Sequence, residues 1–227
     1  MTTSSTATPK LGRAGHDTAV ALTATVGLGG AAWILTIQRM HGMDMGVATR
    51  LGSLPYFLSV WVPMMAAMML PGTAPAARRL ALAGGRVLDI TVYVGSYLAI
   101  WAVFGIAVYA LYRPHGTATA GAFAVAAAGY ELTPLKRRFR EMCRDRMSSG
   151  LELGLCCVGS SLGLMLMMVA LGVMSVTWMA VTAGVVLAQK LLPPRAAIDL
   201  AVAIAIAVLG IAVIVAPSSV PGLIPPI

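Results

Sequence analysis

Charge is what this sequence has least of. Of its 227 residues only 11% are Asp, Glu, Lys or Arg, where a soluble domain carries about 25%. Histidine is also scarce: three residues, His16, His41 and His115, lie far apart along the chain. A membrane metallo-oxygenase wants several His ligands close together, and this chain cannot supply them. Cysteine is limited to Cys143, Cys156 and Cys157. They form no CxxC and no spacing suited to a structural zinc site. There is no Gly-rich phosphate loop, no nucleophile elbow and no His-Glu-x-x-His. These absences together argue against an enzyme.

What fills the sequence instead is apolar residues, 59% of the total, with a mean hydropathy of +0.86. Runs near 20 residues recur from one end to the other, which makes this an all-α, polytopic membrane helix bundle. Seven spans are expected, at about 18–37, 54–70, 87–112, 118–135, 151–171, 176–192 and 197–216. The fourth is the weakest, because it is Ala/Gly-rich and holds Glu131. A tight hairpin over Gly172 to Ser175 is expected between the fifth and sixth. The Ser/Thr-rich segment 1–16 reads as a mobile tail, 17–217 as a single transmembrane domain and 218–227 as a short tail. The first apolar run is too long for a signal-peptide core and has no small-residue cleavage site, so it reads as a retained span.

The basic residues orient the bundle. Alternating connections put Lys10, Arg13, Arg78, Arg79, Arg86, Lys136, Arg137, Arg138, Arg140, Arg144, Arg146, Lys190 and Arg195 on one side. Only Arg39, Arg50 and Arg113 fall on the other. This split predicts a cytoplasmic N-terminus, an extracytoplasmic C-terminus and a multi-pass protein of a bacterial-type inner membrane. It also explains the net charge of +8 as an inner face against anionic lipid, with no nucleic-acid partner.

The candidate site residues are soft donors. Met40, His41, Met43, Asp44 and Met45 crowd the first outer loop, and His41, Met43 and Met45 are candidate metal ligands there. The second span ends in two Met pairs, Met64-Met65 and Met68-Met69, four residues apart. On a helix Met64 stacks with Met68 and Met65 with Met69, so one pair can face the bundle while the other faces lipid or a partner. Methionine fills gaps in any core, but thioether sulfur, thiolate and imidazole also suit Cu(I). Cys156 and Cys157 open the fifth span at the same inner depth. As helix neighbours their side chains point about 100° apart, so one metal cannot easily take both. Glu131, a carboxylate inside a span, is either paired with Lys136 to Arg140 nearby or available as a charge relay. Met165, Met167 and Met168 follow no single face and read as packing.

Several strings carry a resemblance. GMDMG, SLPYFLSVWVPMMAAMMLPGTAP, YELTPLKRRFREMCR and the stretch from Gly150 to Pro193 resemble the DUF2182 family of metal-binding integral membrane proteins, sometimes labelled copper chaperones. The likeness covers roughly residues 40–195. It implies a helical membrane fold and copper, as Cu(I), handled through Met, Cys and His ligands. The same resemblance implies ligands that this chain lacks. Leu153 stands where the family has His, Ser160-Ser161 where it has a Cys pair, Leu162 where it has Trp, and Gln189 where it has Glu. Cys157 alone remains in place, with Cys156 as an extra neighbour. Two functions follow: Cu(I) binding, delivery or uptake with a copper-binding partner, or a non-catalytic accessory subunit of a larger membrane complex that has lost its metal. Close helix contact through Gly27, Gly29 and Gly30 suits either.

Overall fold

The computed structural model describes residues 18–40, 51–84, 86–144, 149–172, 175–192, 196–220 and 223. Every regular element among them is helical. Helix α1 runs from Thr18 to Met40, with a wider π-turn at Thr23–Gly27. Helix α2 is Leu54–Met69 and passes through a 3-10 turn, Pro71–Thr73, into α3, Ala74–Leu82. Helix α4 is Val87–Leu111, α5 Thr117–Glu131, α6 Pro134–Arg144 and α7 Gly150–Gly172. Two more, α8 (Val176–Leu191) and α9 (Ala196–Val215), complete the bundle.

All seven expected apolar segments are helices. Their lengths divide them. Among the described residues only α1, α4, α7 and α9 are long and apolar enough to cross a membrane, or five segments if the bent pair α2–α3, with its 44° bend, forms one span. Helices α5 and α8 have 15 and 16 residues, about 22–24 Å at 1.5 Å per residue, short of the roughly 30 Å hydrocarbon core. The physical reason for the early end of α5 is Pro134. It disfavours helical geometry at Thr133, and the chain restarts as α6, which is polar and amphipathic rather than the tail of a span. The hairpin after α7 begins at Gly172, whose φ of +134° suits glycine, and the Ser175 N–H returns to the Gly172 carbonyl at 3.3 Å.

Helix α7 is the axis. It is the most buried of the long helices, and it packs against α4, α5, α6 and α8. Small residues let it. A Cβ on Gly163 would come within 2.8 Å of Glu131 Oε1, and one on Gly154 within 2.9 Å of Ile100. On the far side α5 and α9 press together through Gly121 and Gly210. Helix α2 joins the bundle through aromatic contacts with α4: Trp61 Nε1 donates to the Trp101 carbonyl at 2.9 Å, and the Phe57 ring packs on Tyr109 with centroids 5.5 Å apart. Around the outside Ile34, Val92, Val103, Val208 and Ile211 are exposed.

The two ends of the bundle differ in chemistry. At one end Arg39 donates to Ser59, Tyr109 donates to the Gly52 carbonyl, and His115 contacts the Ala170 carbonyl. At the other end lie Arg79, Arg140, Arg144 and Lys190, around a single cavity. Of the basic residues expected on one side, Arg79, Arg140, Arg144 and Lys190 share this cavity, while Arg39 lies at the opposite end.

Candidate metal site

The 3-10 turn after α2, the helix α3, the C-terminal ends of α6 and α8 and the first half of α7 meet at that cavity. Its volume is about 280 Å³, and its walls include Gly72, Cys143, Cys157, Ser160, Ser161 and Lys190. Cys143 comes from α6 and Cys157 from α7, so the site depends on the amphipathic helix that follows Pro134.

Lys190 organises the wall. Its Nζ donates to the Met69 carbonyl at 3.3 Å and lies 3.8 Å from the Met69 sulfur. The Met69 carbonyl is one of the unpaired acceptors at the end of α2, so the ammonium caps that helix. Nζ also donates to the Tyr97 hydroxyl at 3.3 Å and sits 5.8 Å from the centre of its ring. Tyr97 Oη is 3.1 Å from Cys157 Sγ. An ammonium is a donor only, so Tyr97 accepts from Lys190, and in its contact with Cys157 either the hydroxyl or the thiol can donate. Gly72 leaves room for this chain of contacts, because a Cβ there would collide with Lys190 Cδ.

Cys143 Sγ is 3.9 Å from Ser160 Oγ and also interacts with the Cys156 thiol. Burial pushes the Cys143 thiol well above its ordinary value, and the neighbouring Cys157 and Cys156 sulfurs add to the shift. All three cysteines are free. Cys156 is buried yet does not line the cavity, as the helical offset from Cys157 requires. Among the described residues no three His, Cys, Asp or Glu side chains converge as a cage for a cation. The donor set is instead two thiols on one cavity with a thioether against its lysine wall, soft chemistry that suits Cu(I) and not a hard ion.

Beneath the cavity lie two buried ion pairs. Lys136 pairs with Glu131, and Arg140 pairs with Asp199. Gln189 joins them: its Oε1 accepts from Lys136 at 3.1 Å, its Nε2 donates to Glu131 Oε2 at 3.0 Å, and its carbonyl accepts from Arg140 at 2.8 Å. Burial pushes the Lys136 ammonium below the ordinary lysine value, and Glu131 opposes that shift. Of the two expectations for Glu131, the pairing is present, while its second oxygen, Oε1, has no partner among the described residues.

The expected ligands divide three ways. His41, Met43 and Met45 lie outside the described residues. Met69 and Cys157 come together through Lys190 and Tyr97. Met64, Met65 and Met68 are in the apolar core. All four paired methionines are at most 2% exposed, so neither pair faces lipid, contrary to the expectation from helical spacing. The cause is that α2 is covered on several sides, by α1, α4 and α8. Met165, Met167 and Met168 are also core residues. Cys143 and Lys190 were missed as site residues. Cys143 sits in a polar stretch after the fourth apolar run, and only the signature of a strongly amphipathic α6 hinted that it folds back.

A family model described as PpoB2, copper chaperone, matches residues 58–213. The chain belongs to that copper-chaperone family. The match begins inside α2 and ends inside α9, so it takes in both cavity cysteines, Met69, Tyr97 and Lys190. No curated protein and no solved structure matches the chain.

Proposed function

We propose that this chain is a multi-pass membrane protein that binds Cu(I) at the cavity, through Cys157 and Cys143 with Met69 at the wall, and hands it to a partner. Membership of the copper-chaperone family supports the cargo. The narrower likeness to DUF2182 and the seven-span, N-terminus-inside arrangement rest on the motif strings and the charge split. Support for the membrane comes from four long apolar helices with bare Leu, Ile and Val on their outer faces. The observation that carries the site is the Lys190–Tyr97–Cys157 chain, which ties the lysine wall to a buried cavity sulfur. Copper is cargo here. It enters as Cu(I), displaces thiol protons as it binds, and leaves by exchange to another sulfur ligand; no catalysis is assigned.

A second reading has its own observation. Ser160 and Ser161 line the cavity where the resemblance implies a Cys pair, and hydroxyls are poor Cu(I) ligands. An accessory subunit that kept the scaffold and lost the metal has this pattern. Anaerobic Cu(I) titration of the purified chain against a chromogenic chelator separates the two. We expect one Cu(I) per chain, lost in Cys157→Ser and retained by Cys156→Ser. Absence of Cu(I) binding by the parent protein under reducing conditions leaves the subunit reading.

A further inference from the structure

Among the described residues, positive charge surrounds the cavity without matching negative charge in its lining. Arg79 and Arg144 stand exposed at its rim, Lys190 is half-buried in its wall, and Arg140 is buried below. Among the described residues no Asp or Glu lines it. The two carboxylates beneath are already committed, Glu131 to Lys136 and Asp199 to Arg140. Among the described residues Arg144 donates to the Leu192 carbonyl, Lys190 has carbonyl, hydroxyl and thioether partners, and neither they nor Arg79 are in an ion pair. Three cations without a carboxylate partner among the described residues thus ring a concave space that also holds two thiols.

A bare Cu(I) ion is repelled by such a ring, so the ring does not serve the naked metal. Resting on the copper reading above, we propose that the cavity takes Cu(I) as its complex with a small thiol that carries carboxylates, and that Arg79, Arg144 and Lys190 bind those carboxylates. The volume of about 280 Å³ limits the carrier to a small molecule. Transfer is then a ligand exchange. A Cu–S bond to Cys157 forms as the Cu–S bond to the carrier breaks, and the Cys157 proton passes to the leaving thiolate. Copper stays Cu(I) throughout, so neither oxidant nor reductant is needed.

Loading rates from three Cu(I) thiol complexes test this: mercaptosuccinate (anionic), mercaptoethanol (neutral) and cysteamine (cationic). The protein is the full chain in phosphatidylcholine nanodiscs at low salt. Intrinsic differences between the thiols are removed by taking each rate relative to an Arg79→Gln, Arg144→Gln double variant. Neither arginine touches the sulfur site. The parent should load from mercaptosuccinate about tenfold faster than the variant, the scale of electrostatic focusing in a charged cleft. Rates from mercaptoethanol should agree within about twofold, and added salt should erase the mercaptosuccinate advantage. Equal loading of parent and variant from all three overturns the proposal and leaves the copper site standing. No loading from any thiol overturns both. Repeating the measurement in nanodiscs of equal parts phosphatidylcholine and phosphatidylglycerol adds the competing source of anion. If the advantage exists only without phosphatidylglycerol, the arginines serve lipid headgroups and the proposal fails.

Discussion

Replacing Glu131 should damage the protein more than replacing Glu131, Lys136 and Gln189 together. Glu131 and Lys136 are both fully buried, and Gln189 is 7% exposed. Glu131→Ala leaves the Lys136 ammonium with only the Gln189 Oε1 acceptor. Removing one partner of a buried pair costs about 3–5 kcal/mol, because a buried charge is left without compensation. For a chain of this size that corresponds to a fall of about 6–20 °C in the unfolding midpoint. Removing both charges as Glu131→Leu, Lys136→Met strands the Gln189 amide instead, at about 1–3 kcal/mol. Adding Gln189→Leu removes that polar group as well, and apolar replacement of a buried pair is often neutral. The triple variant should therefore melt closer to the parent than Glu131→Ala does. The sign of the pH dependence follows from the lysine. Its value in the fold lies below its ordinary one, so across that interval the unfolded chain binds more protons and stability rises with pH. Glu131 opposes the downward shift, so Glu131→Ala lowers the folded value further. The defect should be largest in mildly acidic buffer and shrink in alkaline buffer. Thermal unfolding in detergent, followed by intrinsic Trp fluorescence, reads all of this. A triple variant as unstable as the single one, or a single-variant defect that grows with pH, would refute the buried-charge account.

Other outcomes follow from the same geometry. Gly72→Ala should push Lys190 off Tyr97 and Met69 at a stability cost of about 1 kcal/mol, because a flexible lysine stem can give way. Its Cu(I) affinity in chelator competition should nevertheless fall clearly below that of the parent. A Met68→Leu, Met69→Leu double variant nearly conserves volume and should cost under about 1.5 kcal/mol per site. Met68 is core and Met69 touches the lysine wall, so single variants should show Cu(I) loss in Met69→Leu alone. Reporter fusions after Arg50 and after Cys143 should report outside and inside respectively, and the same side for both would remove the seven-span arrangement. Replacing His41, Met43 and Met45 together should slow copper uptake while leaving assembly intact; unchanged uptake would make that loop a connector.

The helices were legible because their signal is local. Apolar runs at 18–37, 87–112, 151–171 and 197–216 match α1, α4, α7 and α9 closely. Where an apolar run and a proline signal conflicted, at Thr133-Pro134, hydropathy alone carried the fourth span too far, and the amphipathic α6 emerged only in three dimensions. The exposure of the Met pairs failed for a related reason. Helical spacing says which residues share a face, but the number of neighbours a helix acquires is set by the whole bundle, and α2 acquired enough to bury both pairs.

The site shows the sharper divide between what spacing can and cannot reveal. Cys157 was identifiable from one motif position, yet its partners come from three other segments: Tyr97 from α4, Cys143 from α6 and Lys190 from α8. None of these spacings repeats or resembles a ligand motif, because the contacts are set by where helix ends meet and not by sequence distance. Gln189 illustrates the consequence. Read as a string, it is a lost carboxylate and a sign of decay. In space it is an amide that accepts from Lys136 and donates to Glu131 at once. A glutamate there would have no proton to offer Glu131 when ionised and would set a second negative charge beside it. The substitution therefore keeps this buried pair neutral with both Oε2 and Nζ satisfied. A buried ion pair needs that match in a copper site and in a structural subunit alike, so Gln189 speaks for a maintained fold and is no sign that the site was abandoned.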